Sequence, residues 1–183
     1  MLGVWIGVGV VVVVLLYVIL TYNRLVRLRV RAENAWSQID VQLRRRYDLI
    51  PNLIETVKAY ATHERELFEN VTRARSGAEA ASGVAAQAEA ENQVTRGLRQ
   101  LMAVAENYPE LKANENFLAL QEELVGTESK IAFARQFYND QVASLNTLIE
   151  SFPSRFVAAM GRFEQKEFFE IEEPVRGPVG VQF

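Results

Sequence analysis

Twenty-one consecutive residues, Leu2 to Tyr22, carry no charge, and every Lys, Arg, Asp and Glu of the 183-residue chain comes after them. At about 1.5 Å of rise per residue, a helix of that length spans about 30 Å, the hydrocarbon thickness of a bilayer. A cleaved signal peptide would need a basic stretch before the apolar run and a small-x-small site after it. Met1-Leu2-Gly3-Val4 has no basic side chain and Leu20-Thr21-Tyr22-Asn23 offers no such site, so the segment is expected to stay attached. The chain has no cysteine, which excludes lipoprotein anchoring, disulfides, thiolate catalysis and Cys-ligated metals together. Trp5 near one end and Tyr17 and Tyr22 near the other suit the two membrane interfaces.

The residues that follow set an orientation. Between positions 24 and 46, seven arginines (24, 27, 29, 31, 44, 45 and 46) stand against only Glu33 and Asp40. The positive-inside rule then places the N-terminus outside and the body in the cytoplasm, at the cytoplasmic membrane. Arg24, Arg27 and Arg31 are candidate contacts for anionic lipid headgroups, each contributing up to about 1 kcal/mol near the surface. Gly3-x-x-x-Gly7 permits close helix approach and hence a homo-oligomer, against the simpler reading of a lipid-facing span. The overall charge of −3 and the absence of a basic, aromatic-interleaved motif point away from nucleic acid.

About 160 residues remain after the anchor, enough for one domain with its own core. Their periodicity is helical. Phe117, Leu120, Leu124, Thr127, Ile131, Ala134, Tyr138, Gln141, Leu145, Leu148 and Phe152 recur in steps of three and four, the spacing of a long helix packed in a coiled-coil-like manner. Trp36, Ile39, Leu43, Tyr47, Ile50, Ile54, Val57, Ala61, Phe68 and Val71 form an earlier stripe, in which Pro51 predicts a kink in a continuing rod to about residue 75. The Ala-, Ser- and Gly-rich stretch 76–91 predicts the first helical hairpin, with Ser76-Gly77 and Ser82-Gly83 as turn candidates. A third helix is expected from about Ala85 to Asn107. Asn107-Tyr108-Pro109 ends it, and Asn114 is the expected N-cap of the long helix that follows. Phe156, Met160 and Phe163 are expected to share one face of a short helix.

The predicted fold is therefore all-α. A single N-terminal transmembrane helix (1–23) leads into an antiparallel long-helix bundle of four-helix type (24–163). An acidic and then Pro/Gly-spaced tail (164–183) closes the chain. At its very end Val179, Val181 and Phe183 alternate, so an extended chain turns all three to one side beside a free carboxylate, the form of ligand a PDZ-type groove accepts; the alternative is packing back on the bundle.

No reaction centre is visible. A di-iron bundle needs two Glu-x-x-His helices, and this chain has one histidine, His63, with Tyr60 three residues before it. His63-Glu64 lacks the second histidine of a zincin motif, and the phosphate-binding and nucleophile-elbow motifs are absent. Glu122 and Glu123 are adjacent on a helix and point in different directions. Arg44, Arg45 and Arg46 fan around a helix circumference, which predicts a surface rather than a pocket. No cofactor, metal or catalytic residue is expected, and the protein is read as a non-enzyme.

Two long stretches carry a resemblance. One runs from Tyr22-Asn23-Arg24-Leu25-Val26 through Ala35-Trp36-Ser37-Gln38-Ile39-Asp40-Val41-Gln42-Leu43-Arg44-Arg45-Arg46-Tyr47-Asp48-Leu49-Ile50-Pro51-Asn52-Leu53. The other comprises Glu106-Asn107-Tyr108-Pro109-Glu110-Leu111-Lys112-Ala113-Asn114, Ala134-Arg135-Gln136-Phe137-Tyr138-Asn139 and Phe152-Pro153. Together with the closing Val/Phe tail they resemble the bacterial LemA family over nearly the whole chain, 76–91 excepted. The resemblance implies a membrane helix with a short exterior N-terminus and an antiparallel long-helix bundle. It carries over no catalytic residue, because the family has no assigned active site. The expected role is a membrane-tethered scaffold or adaptor for an unidentified protein partner. The alternative is a small-ligand sensor or enzyme, with Asn52, Asn114, Asn139 and Arg135 as candidate cavity residues.

Overall fold

A computed structural model describes residues 2–171; Val179, Val181 and Phe183 lie outside the described residues. Six helices follow in order: α1 (Leu2–Lys58), α2 (Arg65–Ala80), α3 (Val84–Ala105), α4 (Pro109–Lys112), α5 (Glu115–Glu150) and α6 (Ser154–Met160). No strand occurs among the described residues. The first helix is long and apolar enough to cross a membrane, and none of its most apolar stretch is buried.

Two compact units divide the chain. The first joins Met1–Val41 to Ile131–Phe168. Leu25, Ala32, Ala35 and Ile39 of α1 and Ile131, Tyr138, Val142 and Leu145 of α5 are buried in it, both sets advancing by threes, fours and sevens. Pairing is antiparallel: the Trp36 and Tyr138 rings lie 5.4 Å apart, while Leu25 shares a cluster with Leu145. Val157, Ala158 and Phe163 complete that cluster, with Val18, Val26, Leu28, Leu148 and Ile149 packed around it. After Gly161 the chain is extended and strapped down. Asn146 Nδ2 donates to the Lys166 carbonyl (2.9 Å), and the Lys166 amide donates to Asn146 Oδ1 (3.0 Å). The Tyr138 hydroxyl donates to the Glu167 carbonyl at 2.9 Å. Burial, followed by the Glu167 charge, pushes the Tyr138 phenol above its ordinary pKa.

The second unit spans Gln42–Lys130 and, among the described residues, 169–171. Leu43, Ile50, Leu53 and Val57 of α1, Phe68 and Val71 of α2, Val94, Leu98 and Leu101 of α3, and Phe117 and Leu124 of α5 form its buried apolar residues, with Leu111 of α4. The α2–α3 hairpin turns at Gly83, whose φ of +88° disfavours any residue with a Cβ. Where α2 and α3 meet, a Cβ on Gly97 would stand 3.2 Å from Val71 Cγ2, so glycine allows the close approach. Asn114 does cap α5: its Oδ1 accepts the Phe117 amide at 3.0 Å.

The structure departs from the sequence expectation in several of these helices: Ser76-Gly77 lies inside α2 rather than at a turn, and Phe152, expected in the packing seam of α5, is 78% exposed just beyond its end. α1 continues through Pro51 as expected, but it ends at Lys58 rather than near residue 75, and the chain breaks at residues 59–64, where the Tyr60 and Ala61 amides both bond the Val57 carbonyl. Phe68 and Val71 therefore belong to a separate helix. The polar Thr62 and His63, both exposed, have modest helix propensity and no buried face to hold them. Phe163 does not share a face with Phe156 and Met160: it follows the end of α6 and turns inward, while the other two point to solvent.

Candidate functional site

Arg46 was the residue least expected in a core. It is only 1% exposed, and the Glu91 carboxylate that meets its NH2 is fully buried. Arg46 NH1 donates to Glu128 Oε1 at 2.9 Å and lies 3.5 Å from the Thr95 hydroxyl. The Tyr47 hydroxyl donates to Glu91 Oε1. Gln87 Nε2 reaches the same carboxylate oxygen (2.8 Å), the Tyr47 hydroxyl (2.9 Å) and the Ala78 carbonyl (3.1 Å). One helical turn of α1 is thus tied to α2, α3 and α5 by a single connected polar network. Arg44 and Arg45 do lie on the surface, Arg45 pairing with Glu123 at 2.8 Å.

The sequence held a signal for this. Ile39, Leu43, Arg46, Ile50, Leu53 and Val57 advance by four, three, four, three and four, so Arg46 occupies a core register. Gln87, Glu91, Val94, Leu98, Leu101 and Ala105 advance in the same way on α3, which places Glu91 in register too. Arg46 follows two surface arginines, and that run of charge masks its core register.

Above this network lies a groove of about 500 Å³ between α3 and α5. Thr95 and Glu128, both partners of Arg46, form part of its wall, with Leu98, Met102, Leu124 and Val125 supplying apolar surface and Arg99 and Glu106 charge. Glu128, with its side chain 39% exposed, is the charged member of the network that reaches the groove. Chemically the arrangement offers a fixed carboxylate backed by a buried guanidinium. It brings together no nucleophile and base. A second groove, of about 740 Å³, lies between the end of α1 and α2, with Lys58, Arg65 and Arg73 against Glu69. There Arg65 Nε donates to Glu69 (2.8 Å), and that hydrogen bond, then the Glu69 charge, holds the Arg65 pKa up. No cluster of three or more His, Asp or Glu side chains suited to a metal ion occurs among the described residues.

Of the residues singled out for lipid headgroups, Arg24, Arg27 and Arg31 are all exposed on α1, just beyond the apolar stretch. Arg29 instead covers the Phe163 ring, 5.2 Å from its centroid. Asn114 is half-buried and donates to the Tyr60 hydroxyl at 3.2 Å, while Asn52 is exposed on α1. Asn139 and Arg135 are half-buried in the first unit and line neither groove.

An apolar helix continuous with a helical body defines a membrane-associated helical protein. Residues 35–183 match the model of the LemA family, and the chain belongs to that family. It is similar to two magnetosome proteins of Paramagnetospirillum magneticum, MamQ 1 and MamQ 2, at 25% identity over 85% of this chain and 66% of each relative. Magnetosome protein MamQ of Magnetospirillum gryphiswaldense is 24% identical over the same shares. The chain spans slightly less than two thirds of the length of these relatives.

Proposed function

We propose that this protein is a membrane-tethered scaffold whose helical body presents faces to a protein partner. The observation that carries the reading is an aromatic pair on α5. Phe133 and Phe137, one helical turn apart and on one face, are 74% and 46% exposed. Rings left in water on a helix whose opposite side is fully used for packing are the anchor type that partner helices bury. The seven arginines after the apolar run support an orientation with the N-terminus outside and the body in the cytoplasm, at the cytoplasmic membrane. A reporter fused after Phe183 is expected to be active only as a cytoplasmic fusion; activity only outside would overturn that orientation. For the partner, the test is co-purification after in-membrane crosslinking. Phe133→Ser with Phe137→Ser should abolish recovery of the partner without changing the melting temperature. Unchanged recovery would refute the assignment to this face.

The α3–α5 groove favours a second reading, a small-ligand sensor. A ligand there would have to neutralise Glu128 or replace it on Arg46. Glu128→Gln should then change the ligand-induced shift in melting temperature, whereas a pure scaffold would show no such shift with any small cation or amine. The alternating Val179, Val181 and Phe183 are tested by deleting Val181–Phe183. Loss of a partner at unchanged melting temperature marks a recognition tail, and a lowered melting temperature with no partner lost marks packing.

A further inference from the structure

The first unit leaves a second apolar surface uncovered, and its position relative to the anchor assigns its occupant. Phe152 (78% exposed), Phe156 (64%) and Met160 (70%) stand on and just before α6, with the Phe152 and Phe156 rings edge to face at 5.9 Å. The opposite side of α6 is buried: Val157 and Ala158 pack with Leu25 and Leu145.

Three observations fix the height of this surface. α1 and α5 are antiparallel with Trp36 against Tyr138, and stepping back along α1 from Trp36 by as many residues as separate Tyr138 from Phe152 arrives at Tyr22. The end of α6 touches the same level: the Phe163 and Tyr22 ring centroids are 5.6 Å apart, and a Cβ on Gly161 would stand 3.1 Å from Tyr22 Cε2. Val18 and Thr21, inside the uncharged run itself, are half-buried and buried, and Val18 packs against the α6 cluster. Val18 lies about 6 Å of helix rise before Tyr22. A body that covers the last turn of a membrane-spanning segment reaches the depth where headgroups give way to acyl chains.

We infer that α6 is an interfacial helix: with Phe152 before it, it seats the body in the same bilayer that α1 crosses, Phe152, Phe156 and Met160 entering the acyl boundary. Arg155, between Phe152 and Phe156, and Arg162, after Met160, are exposed and join Arg24 and Arg27 at headgroup level, with the exposed Glu150 and Glu164 further along the chain on either side. Aromatic and aliphatic side chains interleaved with arginines are the composition of helices that lie in a membrane surface. The inference rests on α1 crossing the bilayer and is independent of the partner reading, which concerns Phe133 and Phe137. Its consequence is that the body does not swing freely on its anchor but is held by two contacts.

The absence of cysteine makes the test clean. Full-length protein carrying Phe156→Cys or Met160→Cys, each labelled with a polarity-sensitive fluorophore, is reconstituted into phosphatidylcholine vesicles with and without phosphatidylglycerol. Phe133→Cys serves as the equally exposed comparison, and melting curves verify each variant. Labels at 156 and 160 should be blue-shifted and quenched several-fold more by lipids bearing an acyl-chain quencher than the label at 133. Phosphatidylglycerol should strengthen this, and added salt should weaken that increment. Labels at 156 and 160 that are quenched by aqueous iodide as strongly as at 133 would overturn the inference. Labels protected from both iodide and lipid quencher would overturn it equally, since a second copy of the chain would then be the cover.

Discussion

The two units of this protein use the same register of helix packing and fill it with different chemistry. Where the first places Leu25, Ala32, Ala35 and Ile39 on α1, all fully buried, the second places Leu43, Arg46, Ile50 and Leu53 along the same helix. Apolar side chains in register contribute area and little direction. A buried guanidinium shared between Glu91 and Glu128 contributes little net stability, but removing either partner leaves an uncompensated buried charge. The first unit is thus held by apolar burial alone along this face of α1, and the second carries one charge network within its apolar core.

Breaking that network should have the largest effect. Arg46→Leu leaves Glu91 buried without its counter-ion and should cost about 3–5 kcal/mol in chemical denaturation. The double variant Arg46→Leu with Glu91→Leu should recover most of it, because the uncompensated charge is gone. Equal instability of single and double variants would refute the paired role. In the first unit, Leu145→Ala should cost about 2–5 kcal/mol through lost burial and a cavity, and no second substitution should rescue it by charge balance.

The geometry of the α2–α3 hairpin gives a smaller handle within the second unit. Gly83→Ala forces a Cβ onto a backbone at φ +88°, ψ 156°, and should destabilise by about 1–3 kcal/mol. The extended strap of the first unit gives a pH handle. The Tyr138 phenol is held above the ordinary value of about 10, so the unfolded chain loses that proton first as pH rises. Its contribution is complete below about pH 10 and is lost as pH climbs through the folded value. Tyr138→Phe should lower stability by about 1 kcal/mol at neutral pH and flatten the alkaline slope. Least affected should be Arg45→Ala: the Arg45–Glu123 pair, with both side chains largely in solvent, contributes at most about 1 kcal/mol. A larger loss would mean that surface charge, rather than the buried network, organises the second unit.

Much of this architecture is legible from spacing alone, because helical registers depend on side-chain type at fixed intervals. The long α5, the end of α3 near Tyr108-Pro109 and the Asn114 cap all follow from local chemistry. The helix continues through Pro51 as its spacing implies, because a proline sacrifices one hydrogen bond and the well-buried Ile50 and Leu53 on either side hold the helix through it. The break at 59–64 carries no Gly or Pro to announce it. Arg46 was hidden by its neighbours, since residue type spoke for the surface while register spoke for the core. Phe163 was misplaced because its direction depends on the chain leaving α6 at Gly161, where the Tyr22 ring closes the space. What spacing cannot supply is a partner for an exposed ring, because exposure is a property of the folded surface.

The scaffold reading is tested most directly by a photo-crosslinking residue placed at Phe133 in the full-length protein in its native membrane. The expected result is one discrete adduct with another protein, lost when Phe137→Ser is added and absent when the crosslinker sits at the exposed Ser144 of the same helix. No adduct at 133, or the same adducts from 133 and 144, would contradict the account.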